Sequence, residues 1–116
     1  MTSKIKRGQK GEAQAADYLV AQGYEVVARN FRHKRAEIDL IVKKENWLVF
    51  VEVKARSSVA FGHPEEFVDA KKRTNILAAA AHYLEETNWS GHVRYDVVAV
   101  TWKPKLAIAH LADAFY

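Results

Sequence analysis

The fold is decided by two runs of strand-forming residues, Glu37-Ile38-Asp39-Leu40-Ile41-Val42 and Trp47-Leu48-Val49-Phe50-Val51-Glu52-Val53-Lys54. β-Branched and aromatic side chains dominate both runs, which is typical of strands. Residues 48–51 are apolar at every position, so protein should cover both faces of the second strand. We therefore expect these runs to form the centre of a sheet with helices packed on it.

The same two runs predict a register. An antiparallel hairpin that turns at Glu45-Asn46 would pair residues whose numbers sum to 91. In that register Asp39 lies opposite Glu52, and Glu37 lies opposite Lys54. Side chains alternate between faces with period two, so these four charged side chains should share one face. A slip of two residues would still keep them together.

The acidic residues of these strands are candidate metal ligands. Burying unpaired charge is costly, and carboxylates a few ångströms apart raise the pKa of at least one of them unless a cation neutralises them. The chain has no cysteine, and its five histidines show no ligand spacing. Oxygen ligands favour Mg²⁺ or Mn²⁺ over zinc or copper, so Asp39 and Glu52 are predicted to hold such an ion. The alternative is a salt-bridge cluster on a half-exposed sheet.

The rest of the chain predicts a single α/β domain over residues 1–116, because this length suits one compact core. Helices are expected over about 3–22 and 65–86, and the other strands over about 24–28, 92–102 and 106–111. This order, α-β-β-β-α-β-β, predicts a mixed five-stranded sheet flanked by helices. A basic turn is expected between Asn30 and Arg35, and a loop with Gly62 and Pro64 before the second helix.

Two charged residues occupy helix positions where the helical period predicts an apolar side chain. Glu12 lies one turn before Ala16, and Lys72 lies one turn before Ile76. We expect both helices to present these charges to the sheet face that carries the acidic cluster, which would make an active site. Alternatively, Glu12 is only an acid favoured by the helix dipole. Lys72 would contact a substrate phosphate or pair with Glu52.

Positive charge is concentrated in the first half of the chain. Residues 1–56 hold 12 Lys/Arg and 7 Asp/Glu, whereas residues 57–116 hold 6 and 7. A polyanion is the natural partner of such a half, held by phosphate contacts that weaken with salt. Ordinary solubilising charge is the alternative. The residues predicted to contact nucleic acid are Lys10, Arg32, Lys34, Arg35, Arg56 and Lys72.

Phosphodiester hydrolysis is the reaction that suits these residues. Mg²⁺ held by one or two carboxylates also binds a substrate phosphate and activates water. Lys54 would stabilise the pentavalent phosphate, or orient or deprotonate the attacking water. Glu37 is a candidate third ligand or an ion-pair partner of Lys54 or Arg35. Arg94 and Asp96 are expected to form a structural ion pair.

A resemblance supports this interpretation. Asp39 followed by Glu52-Val53-Lys54 is similar to the PD-(D/E)xK motif of restriction-endonuclease-like nucleases. Residues 8 to about 100 resemble the YraN-like family of predicted endonucleases, distant relatives of archaeal Holliday junction resolvases. The segments that carry this longer resemblance are Gly8-Gln9-Lys10-Gly11-Glu12, Tyr18-Leu19, Gly23-Tyr24, Arg29-Asn30, Glu37-Ile38-Asp39-Leu40-Ile41, Phe50-Val51-Glu52-Val53-Lys54-Ala55-Arg56, Gly62-His63-Pro64, Lys72 and Arg94-Tyr95-Asp96-Val97.

The resemblance implies a restriction-endonuclease-like core. In that core Asp39 and Glu52 are metal ligands and Lys54 is the catalytic lysine. Glu12 resembles the additional helical acid of the resolvase-like branch and is predicted to be a further catalytic residue and metal ligand. The chain departs from the pattern at Ile38, where the superfamily has proline. It also departs at Ala36, where the family usually has glycine.

Three hypotheses for the function follow. The first is a cytoplasmic endonuclease that uses Mg²⁺ or Mn²⁺ to hydrolyse DNA, with branched or junction DNA and RNA open as substrates. Cutting both strands needs two sites, so a homodimer is also open. The aromatic residues that would make its contact, or instead pack in the core and at sheet edges, are Trp89, Trp102, Phe115 and Tyr116.

The second hypothesis is a nucleic-acid-binding adaptor with an inactive nuclease-like fold. The third, a purely structural interaction protein, leaves Glu12 and Lys72 unexplained. No apolar stretch approaches membrane-spanning length, so no membrane partner is expected.

Overall fold

The computed structural model describes residues 3–58 and 70–114. Its two helices are α1 (Ser3–Ala21) and α2 (Ala70–Thr87), and neither is long and apolar enough to cross a membrane. Its strands are β1 (Glu25–His33), β2 (Ala36–Lys44), β3 (Trp47–Ser58), β4 (His92–Lys103) and β5 (Ala107–Leu111). The element order is the predicted one. The predicted loop at Gly62 and Pro64, the predicted helix start near Glu65, and Phe115 and Tyr116 lie outside the described residues.

The strands form one sheet in the order β1-β2-β3-β4-β5. β3 and β4 are parallel, and the other three neighbouring pairs are antiparallel. Parallel neighbours need a crossover connection, and α2 lies in the segment that joins them. The predicted α/β class with a mixed five-stranded sheet is therefore confirmed.

The helices cover opposite faces of this sheet. α1 shares a core cluster with Val49 and Val51 of β3, whereas α2 shares one with Leu48 and Phe50. Successive residues of a strand point to opposite faces, so the prediction that both helices present their charges to one face is wrong. The buried helix residues in these clusters are Ala15, Ala16 and Leu19 of α1 and Ile76, Ala79 and Ala80 of α2.

The β2–β3 hairpin has the predicted register. Its five pairs run from Leu40–Val51 to Lys44–Trp47, and the residue numbers of each pair sum to 91. The turn is Glu45-Asn46, in which Glu45 has a left-handed φ of 53°. The position of a two-residue turn fixes the pairing of both strands, which is why the register followed from the sequence.

Pairing between β2 and β3 stops after these five pairs. The predicted pairs Asp39–Glu52 and Glu37–Lys54 are therefore absent from the ladder. Instead, the N–H of Val53 donates a 2.7 Å hydrogen bond to Oδ2 of Asp39. A side chain of β2 takes the place of a main-chain partner, so the two strands separate at Asp39.

The alternation of faces along β2 also breaks at Asp39. Ile38 belongs to the α2 core cluster and Leu40 to the α1 core cluster, although strict alternation would put both on one face. Residue 39 therefore lies where β2 changes the face that it presents. The charges carried by the two helix layers can meet at this point.

β1 is longer than predicted. It continues past Ala28 to His33, and its pairs with β2 include Phe31–Ile38. The turn between the strands is only Lys34-Arg35, with a left-handed φ of 56° at Lys34. Cross-strand packing of Phe31 outweighs the low strand propensity of its polar neighbours, which the sequence pattern could not show.

Arg94 and Asp96 form the predicted structural ion pair. Nε and Nη2 of Arg94 each donate a 2.8 Å hydrogen bond to the Asp96 carboxylate, which is fully buried. The N–H of Asp113 also donates to it, at 2.9 Å, and Nε2 of His110 lies 2.7 Å away. Burial acts to raise the pKa of Asp96, but these hydrogen bonds together lower it.

Two of the four aromatic residues predicted to pack in the core or at an edge do so. Trp89 packs against the α2 core cluster, and its indole N–H donates to the carbonyl of His92 at 2.9 Å. Trp102 packs against the α1 core cluster and donates to the Gln14 side chain at 2.6 Å.

Candidate active site

Two carboxylates lie buried where β2 and β3 separate. Asp39 is 8% exposed and Glu52 is 5% exposed. Burial raises the pKa of Asp39 to about 9, and the hydrogen bond and negative charge of Glu52 add to this shift, while the N–H of Val53 opposes it. At neutral pH this carboxylate pair therefore retains a proton unless a cation replaces it.

Glu52 has a cationic neighbour. Its Oε2 lies 3.0 Å from Nζ of Lys72, a residue whose side chain is 40% exposed. Within the described residues this oxygen nevertheless accepts no hydrogen bond of good angle. The two observations agree if the contact is an ion pair held by charge rather than by a directed hydrogen bond. Buried oxygens in native proteins are normally hydrogen-bonded, so Oε2 has acceptor capacity left for another cation.

Lys54 follows Glu52 by two positions on β3. Burial, followed by the hydrogen bond and like charge of Lys72, lowers the pKa of Lys54 to about 8 against the attraction of Glu52 and Asp39. Burial also acts to lower the pKa of Lys72, but the negative charge of Glu52 raises it overall, with further contributions in the same direction from Lys54 and Asp39. Lys72 therefore remains the charged partner, and Lys54 is the amine that exchanges a proton near neutral pH.

The carboxylate pair lines two cavities, one on each side of the sheet. The α1-side cavity, of about 330 Å³, is also lined by Gly8 and Glu12 of α1. The α2-side cavity, of about 380 Å³, is also lined by Lys71 and Asn75 of α2. Lys72 lines both. Each helix therefore places a charged residue beside the acidic pair, but from opposite faces of the sheet and not from the one face that was predicted.

Glu12 approaches the carboxylate pair without joining it. Its negative charge contributes to the raised pKa of Asp39, and its Oε1 accepts a 3.0 Å hydrogen bond from the Asn30 side chain. Among the described residues, no three His, Cys, Asp or Glu side chains are grouped closely enough to share one ion. A metal-ligand role for Glu12 therefore stays a prediction, and Asp39 with Glu52 is the close pair.

A glycine lets α1 come this close to the sheet. A Cβ added at Gly11 would lie 2.7 Å from Cβ of Ala55 on β3 and 3.6 Å from the ring of Trp102. Carbon atoms do not approach to 2.7 Å, so any side chain at this position would displace the helix. Gly11 and Ala55 thereby set the depth at which Glu12 enters the α1-side cavity.

Sequence comparison places the chain among known proteins. The model of the "Uncharacterised protein family UPF0102" matches residues 11–100. The chain belongs to the UPF0102 family. This is the YraN-like family of the predicted resemblance, so that part of the prediction is confirmed. The matched span includes Glu12, Asp39, Glu52, Lys54 and Lys72.

Three UPF0102 proteins illustrate the similarity. That of Christiangramia forsetii is 40% identical over 117 residues, covering 100% of this chain and 98% of the relative. That of Cytophaga hutchinsonii is 43% identical over 97 residues, covering 84% and 86%. That of Clostridioides difficile is 40% identical over 111 residues, covering 95% and 96%. The likeness therefore extends over most of each UPF0102 chain.

The residues predicted to contact nucleic acid are not all at the cavities. Arg35, Arg56 and Lys72 line the cavities. Lys34 lies beside Arg35 in the β1–β2 turn. Lys10 instead lies over the ring of Trp102, with Nζ 5.3 Å from its centroid. Arg32 forms an ion pair with Glu37 at 3.3 Å, a partner that the sequence prediction did not name.

Three polar residues near the site were not predicted. Lys71 and Asn75 line the α2-side cavity, and Asn30 holds Glu12. Helical spacing could have found the first two, because Asn75 lies four residues after Lys71 and three after Lys72. Asn30 gave no such signal, since it falls in a strand that the sequence pattern assigned to a turn.

Proposed function

We propose that this UPF0102 chain is a cytoplasmic nuclease that hydrolyses phosphodiester bonds in DNA with Mg²⁺ or Mn²⁺. In this proposal it belongs to the restriction-endonuclease-like PD-(D/E)xK superfamily. The observation that carries the proposal is the buried Asp39–Glu52 pair, with Lys54 two residues after Glu52 and cavities on both sides.

The donor set fits a hard divalent cation. The Asp39–Glu52 pair retains a proton at neutral pH, because burial, followed by the hydrogen bond and charge of Glu52, raises the pKa of Asp39. Oε2 of Glu52 accepts no well-aligned hydrogen bond within the described residues. Mg²⁺ is commonly held by one or two carboxylates, waters and a substrate phosphate. Asp39 and Glu52 would hold the ion. When bound, it neutralises charge on the phosphate and lowers the pKa of a bound water.

Lys54 suits proton transfer at this position. With a pKa of about 8, a fraction of its amine is neutral near pH 7 and can accept a proton from an attacking water. Its protonated form can donate to a phosphate oxygen. Arg56 and Lys72 line the cavities and supply positive charge for the phosphate backbone.

The required rate enhancement is too large for Lys54 to supply alone. Phosphodiester hydrolysis requires a rate enhancement near the upper end of the enzymatic range, roughly 10¹⁷-fold or about 23 kcal/mol. A positioned general base contributes about 10²- to 10⁴-fold. Most of the barrier must therefore be lowered by electrostatic stabilisation and by the cation, which is why the proposal depends on the carboxylate pair.

Cleavage assays test the proposal. Wild-type protein is incubated with single-stranded, duplex, flap and four-way-junction DNA, and with RNA, in Mg²⁺ or Mn²⁺. We expect cleavage of DNA that falls at least about 100-fold in Asp39→Ala and in Lys54→Ala. Circular dichroism verifies the fold of each variant. Lys105→Ala, in the exposed turn before β5, is the control and should cleave like the wild type.

Two outcomes would change the assignment. Undiminished cleavage by both Asp39→Ala and Lys54→Ala would remove it. Salt-sensitive DNA binding that survives both substitutions, with no turnover under either metal, would instead identify a nucleic-acid-binding adaptor with an inactive site.

A further inference from the structure

A third cavity adjoins the candidate active site at the β1–β2 turn. This turn pocket, of about 220 Å³, is lined by His33, Lys34, Arg35, Ala36, Asn75 and Ala78. Arg35, Ala36 and Asn75 also line the α2-side cavity, which contains the carboxylate pair. The turn pocket is therefore the direct continuation of the α2-side cavity away from Asp39 and Glu52.

The lining becomes more positive along this path. The lining charges of the α2-side cavity balance, because three acidic residues and three basic ones line it: Glu37, Asp39 and Glu52, and Arg35, Lys71 and Lys72. Among the described residues, the lining of the turn pocket holds the basic residues Lys34 and Arg35 and no acidic one. This arrangement suits a polynucleotide, because one phosphate would meet the cation held by the carboxylates and the next would meet cationic side chains.

The size of the turn pocket suits a single ring system. Its volume of about 220 Å³ lies below the range of roughly 300–1,000 Å³ typical of pockets that bury a drug-sized ligand. A base pair, with two joined ring systems and the opposite strand, would not enter such a space. One base that has left the stack would fit.

The walls of the turn pocket offer the contacts that an unpaired base makes. The ring of His33 is held by stacking on His82, with centroids 4.1 Å apart and planes at 22°. Ala36 and Ala78 are apolar, and the side chain of Asn75 can both donate and accept hydrogen bonds. Proteins bind unstacked bases with aromatic and apolar surfaces and with polar groups at the base edge.

We propose that the turn pocket binds one unpaired nucleotide next to the scissile phosphate. The substrate is then DNA with an unpaired nucleotide beside the cut, as in a single strand, a flap or a junction, and continuous duplex is a poor ligand. The position of the cut rests on the proposed nuclease function, but the binding preference does not require turnover.

Equilibrium binding, followed by fluorescence anisotropy without divalent metal, tests this inference. The probes are three labelled DNAs of one sequence: a paired duplex, the same duplex with a single-stranded flap, and the single strand. We expect the wild type to bind flap and single strand about tenfold more tightly than duplex, which corresponds to about 1.4 kcal/mol. Asn75→Ala and His33→Ala should lose most of this preference with unchanged duplex affinity.

Matched variants separate base contacts from phosphate contacts. Gln22→Ala removes an exposed amide at the end of α1 and should keep the full preference. Arg35→Met and Lys34→Met should weaken binding of all three probes and reduce the salt dependence by about one phosphate contact each. Asn75→Asp, which adds negative charge to the pocket, provides a second readout if His33→Ala does not fold.

The outcomes distinguish this inference from the proposed function. Equal affinity for duplex and flap, or a preference that survives Asn75→Ala and Asn75→Asp, would overturn the inference and leave the nuclease proposal standing. If the wild type prefers flap and single strand to duplex but cleaves no DNA with either metal, the nuclease proposal is overturned and the inference about the turn pocket stands. No binding of any probe by the wild type would overturn the inference, and the cleavage assay would then decide the nuclease proposal by itself.

Discussion

The carboxyl group of Asp39 is placed where an acid is costly to ionise. Its ordinary pKa of 3.8 is raised to about 9 by burial and by Glu52. The folded, metal-free protein therefore keeps a proton that the unfolded chain releases above about pH 4. Stability depends on pH through this difference in bound protons, so the contribution of Asp39 to stability falls as the pH rises from about 4 to about 9.

Asp39→Asn should remove this dependence, because an amide does not ionise. We expect the free energy of unfolding of the variant, relative to the wild type, to increase between pH 5 and pH 8 in metal-free buffer. Saturating Mn²⁺ should stabilise the wild type and leave the variant nearly unchanged. Urea unfolding at the two pH values measures both effects. If the free energy of unfolding of the variant minus that of the wild type stays constant or decreases from pH 5 to pH 8, the raised pKa of Asp39 is contradicted.

In the proposed metal site, Lys72 would compete with the ion for Glu52. Its Nζ lies 3.0 Å from Oε2 of Glu52, and a partly exposed ion pair of this kind is worth about 0.5–1 kcal/mol. Lys72→Met should therefore tighten Mn²⁺ binding by about two- to fivefold, as measured by calorimetry. Lys105→Met makes the same change of net charge away from the cavities. Equal Mn²⁺ affinity in the two variants would show that Lys72 does not hold the metal position.

The depth of α1 is set by one residue contact. Gly11→Ala should lower the free energy of unfolding by about 1–3 kcal/mol, because the added Cβ would overlap Ala55. Gly8→Ala, in the same helix, should raise it by about 0.5–1 kcal/mol, since its Cβ would meet nothing within 4 Å. Urea titrations of both variants test the contact. A stabilising Gly11→Ala would show that α1 has room to spare at β3.

β4 and β5 are tied together by the buried carboxylate of Asp96. Removing one partner of a buried ion pair leaves the other without compensation, so Asp96→Ala should cost about 3–5 kcal/mol. Glu86→Ala breaks the exposed contact with His82 on α2 and should cost at most about 1 kcal/mol. Chemical denaturation compares the two. Similar decreases in the free energy of unfolding of the two variants would mean that the hydrogen bonds around Asp96 contribute little to the stability of the sheet.

The sequence predicted the helices and strands correctly where a local pattern of residues determines them. The turn at Glu45-Asn46 fixed the hairpin register, and the helical period found Lys72 within an apolar stripe. The face of the sheet that each helix covers was not predictable, because residues 48–51 are apolar on both sides. The separation of β2 from β3 at Asp39 depends on a side-chain hydrogen bond, which no periodicity records.

For the whole molecule, the site exists because two layers converge on one gap in the sheet. α1 brings Glu12 from one face and α2 brings Lys72 from the other, while the carboxylate pair stands between them. The candidate residues were predictable because charge is conspicuous in an apolar run. Their partners, Asn30 for Glu12 and Arg32 for Glu37, both come from β1, so only the folded chain identifies them.

The most direct measurement is an anomalous diffraction map of crystals soaked in MnCl₂. The account predicts one Mn²⁺ peak at about 2.0–2.6 Å from carboxylate oxygens of both Asp39 and Glu52. Saturating Mn²⁺ with no peak between these two residues, or with peaks only at other sites, would contradict it.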